Sequence, residues 1–187
     1  AREGGSIMSW YQECGKDADV AFSSRVRYAR NLKDFPFLMK MDEEQKKQTA
    51  LIIKNAVKKS SLKNDYDYLE MSSMDEVTAA ALAQKHLISP EFAKRAEGSA
   101  LLLRKDEAVS IMINEEDHIR LQVMCAGFDT DRVLKEADMI DDELSKGLNI
   151  AFDERLGYLT NCPTNLGTGV RVSVMLHLPA TEAVGGV

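Results

Sequence analysis

The stretch VRVSVMLHL, from Val170 to Leu178, alternates Val170, Val172, Val174, Leu176 and Leu178 with Arg171, Ser173, Met175 and His177. Successive side chains of a strand point to opposite faces, so this pattern predicts a strand with one buried face and one solvated or functional face. A strand needs partners, and the sequence supplies them. ALLLR and AVSIMIN are joined by the charged turn Lys105, Asp106 and Glu107, which predicts an antiparallel hairpin.

Helices fall before and between these runs. From Asp42 to about Ser60, residues Ile52, Ile53, Ala56 and Val57 recur at helical spacing, and Asp42 with Gln45 forms a capping box. SMDEVTAAALAQK predicts a second helix opening at Ser73 with Glu76 three residues on; SPEFAKR predicts a short one capped by Ser89 with Pro90 first. Val133, Ala137, Ile140 and Leu144 mark a helix from Asp129 to Gly147. Adjacent strand runs with helices around them define an α+β fold, an antiparallel sheet with helices on one side.

At 187 residues the chain can bury one sizeable core. Residues 1–7 read as a cloning scar ahead of a native start at Met8, leaving 8–187 as one domain. No apolar run approaches the roughly 20 residues that cross a bilayer, and the first residues lack the apolar centre of a secretion signal, so a cytoplasmic protein is expected. Cys14, Cys125 and Cys162 are odd in number and far apart, which argues against a disulfide framework or a zinc site; Cys14 and Cys125 read as packing residues. A net charge of −6 disfavours non-specific nucleic-acid binding and makes any local cluster of arginines informative.

Such a cluster is present. In SIMINEEDHIR, read as one strand from Val109 to Val123, Glu116, His118, Arg120 and Gln122 would share a face, with Glu116 and Arg120 about 13 Å apart. In SSRVR, Ser23, Arg25 and Arg27 share a face opposite Val26 and Tyr28, and Arg171 is a third case. Guanidinium groups on the polar faces of buried strands suit an oligophosphate, because they are planar, bidentate and permanently charged.

SSRVRYARN, NEEDHIR and CPTNLGTGVR, in this order, resemble the phosphagen (guanidino) kinases, and KHLISP with SIMINEEDHIR is similar to the bacterial protein-arginine kinases of that family. Only 22 residues precede Ser23, too few for the helical N-terminal domain of the animal enzymes. The resemblance implies ATP-dependent phosphorylation of arginine residues in proteins, with Mg2+, on the antiparallel catalytic domain of that family. It implies that Glu116 is the catalytic carboxylate gripping the acceptor guanidinium and that Cys162 is the active-site cysteine. It implies nucleotide contacts from Arg25, Val26, Arg27, Arg120 and Arg171, from Ser23 and Ser24 in the first loop, from Val172, Ser173, Val174 and Met175, and from His86; no protein ligand to a metal is expected. As partners it implies substrate proteins with exposed arginines, a zinc-finger activator, a heat-shock repressor, the Clp protease system in a stress response, and a homodimer.

Each residue also has a structural reading. Glu115, Glu116 and Asp117 could form a solvated strand end, His118 is best read as a packing residue, His86 divides evenly between a helix cap and a nucleotide contact, and Cys162 could be a small buried side chain. The family continues past the last strand to a second acidic loop with a further arginine and then to a helical region. This chain stops after LPATEAVGGV, so it is expected to be the N-terminal portion of the catalytic domain. A non-catalytic nucleotide-binding module and a kinase of free arginine are the alternatives.

Overall fold

The computed structural model describes residues 9–95 and 97–185; the expected scar at 1–7 lies outside them. In chain order the elements are β1 (Ala21–Arg30), α1 (Glu43–Lys59), β2 (Tyr66–Glu70), α2 (Glu76–Gln84), β3 (Ala100–Arg104), β4 (Val109–Ile113), β5 (Ile119–Ala126), α3 (Thr130–Ser145), β6 (Phe152–Asp153), β7 (Gly157–Tyr158), β8 (Val170–Leu176) and α4 (Pro179–Ala183). Six strands form one antiparallel sheet in the order β2-β3-β4-β5-β1-β8, and β6 with β7 forms a small ribbon.

Period 2 decides what each face carries. Val26 and Tyr28 of β1 point the same way as Leu121 and Val123 of β5 and Val109 and Ile111 of β4, and this face packs on Ile53 and Val57 of α1 and Val133, Ala137, Ile140 and Leu144 of α3. The Asp42 box caps α1 as expected, with its carboxylate accepting from Gln45 N at 2.8 Å. Helix α3 begins after Asp129, as its sequence indicates.

The opposite face is covered over only half its width. Leu101 of β3 and Met112 of β4 pack there against Leu82 of α2 and against Leu87, Ile88 and Phe92 of the following turn. The expectation of helices on one side is therefore corrected: β2–β4 are sandwiched, Met124 of β5 is covered by Trp10 of the single turn Trp10–Gln12, and the arginine-bearing part of β5, β1 and β8 lies under no described α-helix. Helix α2 is capped by Asp75, whose carboxylate accepts from Thr78 N, and not by Ser73, which sits in a preceding single turn.

Three further expectations are corrected. The strand foreseen from Val109 to Val123 is a hairpin: Ile113 pairs with Ile119, and Asn114 takes a left-handed φ of 60°, which asparagine tolerates better than most residues. Asn114 is also fixed by its amide, which donates to Gly98 O and Lys46 O. The final strand has one partner, β1, and lies at the sheet edge, so Val172 and Leu176 are 45% and 50% exposed and its apolar face is not buried. Cys14 is exposed and is no packing residue, whereas Cys125 is buried.

Candidate active site

The uncovered face is where the arginines stand. Arg27 on β1 is paired with Arg171 on β8, Arg25 with Ser173, and Ala29 with Arg120 on β5, so the antiparallel register brings all four guanidinium groups to one surface. Like charges placed directly opposite each other destabilise a sheet, which makes this arrangement costly without an anion to share. Burial, and then the charges of Arg25, Arg120 and Arg171, push the Arg27 pKa down to about 10, and Arg25 is lowered for the same reasons. The Arg27 Nε is buried with no hydrogen-bond partner, and Arg25 Nε reaches only Ser173 Oγ at 3.3 Å. A polyanion would supply the missing acceptors.

Hairpin β4–β5 delivers the acid. At its tip, residues 114–118, every side chain but that of Glu116 is buried. Glu115 and Asp117 are buried, and Glu116 projects between them into a cavity of about 210 Å3 that Arg27, Arg120, Arg171, Cys162 and Gly169 also line. The 13 Å separation expected from an unbroken strand does not apply, because the turn folds Glu116 back over the arginine face.

Glu115 and Asp117 hold this tip, and sequence reasoning missed both. Glu115 Oε2 accepts from Arg120 Nη1 at 2.7 Å and Oε1 from the Ser89 hydroxyl at 2.6 Å, while Arg95 Nη2 donates to the Glu115 carbonyl at 3.2 Å. Burial works against the charged form of Glu115, but Arg120 and the Ser89 hydroxyl outweigh it and its pKa is lowered. Asp117 accepts from Asn31 Nδ2 at 2.6 Å and from Asn161 N at 2.7 Å, joining the acidic turn to the segment that carries Cys162. The acidic triplet beside Asn114 was the available signal.

The loop after β7 closes the cavity. Pro163–Asn165 forms a single turn, and the Cys162 thiol lies 3.0 Å from the Thr164 hydroxyl. Behind it Arg30, 3% exposed, pairs with Asp141 through contacts of 2.8–3.1 Å, donates to Thr168 O at 3.0 Å and stacks on the Tyr158 ring at 3.5 Å. Gly169 has a φ of +61°, and a Cβ there would stand 2.6 Å from Arg30 Nη1 and 2.7 Å from Ala29 O, so the close approach admits glycine alone.

The remaining candidates divide by face. Ser23, Ser173 and Met175 share the arginine face, whereas Val26 lies in the core and Val172 and Val174 are its neighbours on the helix side. Ser23 and Ser24 belong to β1 and not to a loop, and Ser24 Oγ is committed to Gly127 O and Asp129 N, tying β1 to the start of α3. Exposed His86 does not line the cavity; its carbonyl accepts from Gln122 Nε2 at 2.7 Å, one strand from Arg27. His118 is structural: Nδ1 accepts from Leu32 N and Nε2 donates to Pro36 O.

A bank of arginines with one carboxylate and one thiol at its end, on an antiparallel sheet, has the charge and donor geometry to hold an oligophosphate. Residues 48–185 match the family model described as ATP:guanido phosphotransferase, C-terminal catalytic domain, and the chain belongs to that family. It is 44% identical over 176 residues to a protein-arginine kinase of Halalkalibacterium halodurans, covering 94% of this chain and 49% of the relative. It is 41% identical over 182 residues to that of Halothermothrix orenii, covering 97% and 52%. The chain thus spans about half the length of the curated relatives it matches. The duplicated taurocyamine kinase of Schistosoma mansoni with bound transition-state analogue components superposes with a TM-score of 0.81 at 27% identity, over 96% of this chain and 27% of that one. Lombricine kinase shares the fold, with a TM-score of 0.74 at 22% identity.

Proposed function

We propose that this chain forms part of an enzyme that transfers the γ-phosphoryl group of ATP to arginine side chains of proteins. The observation that carries the reading is the convergence of Glu116, Cys162, Arg27, Arg120 and Arg171 on one cavity. Arg25, Arg27, Arg120 and Arg171 would hold the phosphates, with the unpartnered Arg27 Nε as one donor, and neutralise charge as the terminal P–O bond lengthens. Magnesium, when bound, adds charge neutralisation; among the described residues no three His, Cys, Asp or Glu side chains converge as a metal site, so it would ride on the phosphates.

A guanidinium is a poor nucleophile because its nitrogen lone pairs are delocalised. Glu116 would orient one nitrogen toward phosphorus and take the proton that leaves as the N–P bond forms and the bond to ADP breaks. Cys162 would lie beside the same guanidinium. The hydrogen bonds of the buried Glu115 and Asp117 would keep this geometry fixed before substrate arrives. A cytoplasmic setting, a stress-response role and dealings with a zinc-finger activator, a heat-shock repressor and Clp proteolysis accompany the reading by resemblance; no described helix is long and apolar enough to cross a membrane.

The test is Glu116→Gln, made in this chain and in the longest natural form of the protein. Nucleotide affinity, by calorimetry, should change little, while transfer of labelled phosphate to an arginine-bearing protein falls ~100-fold or more. Normal transfer by the variant would remove Glu116 from the chemistry. Labelling of free arginine but no protein would favour the small-molecule kinase, and binding without transfer in the long form would favour the nucleotide-binding module.

A further inference from the structure

A second cavity, of about 540 Å3, shares Glu116 and Arg120 with the arginine-lined one, so the two open on either side of that pair. Its wall is different in kind. Leu38 and Met41 form a buried base, and between them Met39 stands 84% exposed, more than any other large apolar side chain of the described residues. The cavity's charges balance, with Glu91, Glu115 and Glu116 against Lys46, Arg95 and Arg120, so charge alone selects no ligand there. What remains to select is the apolar ledge.

The ledge is also tied to the acid. Met39 lies in the single turn Leu38–Lys40, three residues after Pro36, whose carbonyl accepts from His118 Nε2 at 2.9 Å; Leu32 N donates to the other nitrogen of the same ring at 3.0 Å. His118 is two residues from Glu116, so ledge and carboxylate are anchored through one buried ring. On the phosphate side Arg27 and Arg171 repel a cationic guanidinium, and the second cavity gives the approach to Glu116 that avoids them.

We propose that this second cavity receives the acceptor protein, and that Met39 is a specificity-determining residue that contacts an apolar neighbour of the target arginine. This rests on the protein-acceptor reading above. The arginine stem runs along the Leu38–Met41 ledge, its guanidinium meets Glu116, and the adjoining side chain covers Met39, whose unbranched thioether adapts to varied partners. Free arginine, with nothing to place on the ledge, would lose that contact.

Two fluorescent peptides, one with a central arginine flanked by leucines and one flanked by glycines, test this by anisotropy with Mg-ADP present. The intact chain should bind the leucine peptide about tenfold more tightly, the scale of burying part of one aliphatic side chain. Met39→Asp alters an exposed position and should remove the preference while leaving ADP affinity unchanged. Equal binding of the two peptides, binding of neither, or a preference that survives Met39→Asp would overturn the proposal. The outcome is separable from the enzymatic reading: a Met39-dependent preference without any transfer by the longest natural form would sink the kinase and leave the groove, and transfer with no flank preference would do the reverse.

Discussion

Arg120 and Glu115 meet at 2.7 Å, with the guanidinium in the arginine-lined cavity and the carboxylate behind it, 6% exposed and held by Ser89 from its other oxygen. The acid is thus a backing for the arginine and not a competitor for its ligand-facing edge.

Because the folded-state pKa of Glu115 lies below its ordinary value, its stabilising contribution is present above the ordinary glutamate range of about 4.3 and is lost as pH falls through the lower folded value. Glu115→Gln should cost ~1.5–3 kcal/mol near neutrality, the scale of a charged hydrogen bond, and the gap from the parent should close under acid. Urea unfolding at a series of pH values measures this. A gap that stays constant into acid would mean that the pair contributes no pH-linked stability.

Arg27 should trade stability against binding. Its side chain is lowered in pKa by burial and by three neighbouring arginines, and its Nε has no partner. Arg27→Met is expected to leave thermal stability unchanged or raise it by ~0.5 kcal/mol, while weakening ATP by ~1.5 kcal/mol or more. Calorimetry that finds unaltered ATP affinity in the folded variant removes the phosphate role.

His118 gives a second pH-dependent term with a different window. Burial, opposed by the Pro36 carbonyl and Asp117, lowers its pKa, so the neutral ring is the folded form. Stability from this group is complete above the unfolded histidine value of about 6.5 and declines as pH drops below it. Native-state titration by NMR should find the His118 ring taking up its proton at lower pH than an unfolded histidine, and a ring that titrates at or above the free value contradicts the assignment.

Arg30 and Asp141 form the buried pair that carries the cavity's rear wall. Arg30→Met alone leaves Asp141 buried and unpaired and should cost ~3–5 kcal/mol, whereas Arg30→Met with Asp141→Leu should recover much of it. Equilibrium unfolding of the single and double variants decides. The double variant should still lose ligand affinity, since Thr168 O and Gly169 lose the guanidinium that positions them.

The helices were legible because their signals are local: the Asp42–Gln45 box and the 3.6-residue apolar spacing of α3 survive unchanged in the structure. The hairpin tip was not, because the five polar residues 114–118 between Ile113 and Ile119 carry no apolar alternation to show whether the chain runs straight or reverses, and Asn114 takes the left-handed φ at the turn. The arginine face was legible from β1 alone, since period 2 fixes which side each residue takes. Partners across the sheet were not: that Asn31 would hold Asp117, and Ser89 would hold Glu115, depends on segments 86 and 26 residues apart that no short pattern links. The apolar face of β8 was read as buried, and the exposure of Val172 and Leu176 was not legible for the same reason, as apolar alternation does not reveal what covers a face.

The alternation of β1 has a consequence for how such a protein can change over generations. Arg25 and Arg27 face the ligand side while Val26 and Tyr28 face the core, so one inserted or deleted residue between Ser24 and Tyr28 would exchange the two sets, sending guanidiniums among the helices and apolar groups into the cavity. Point substitutions on the ligand side leave the core untouched, and those on the core side leave the ligand side untouched. Lineages can therefore explore new specificity by replacement along this strand, while its length is held as fixed as a reading frame.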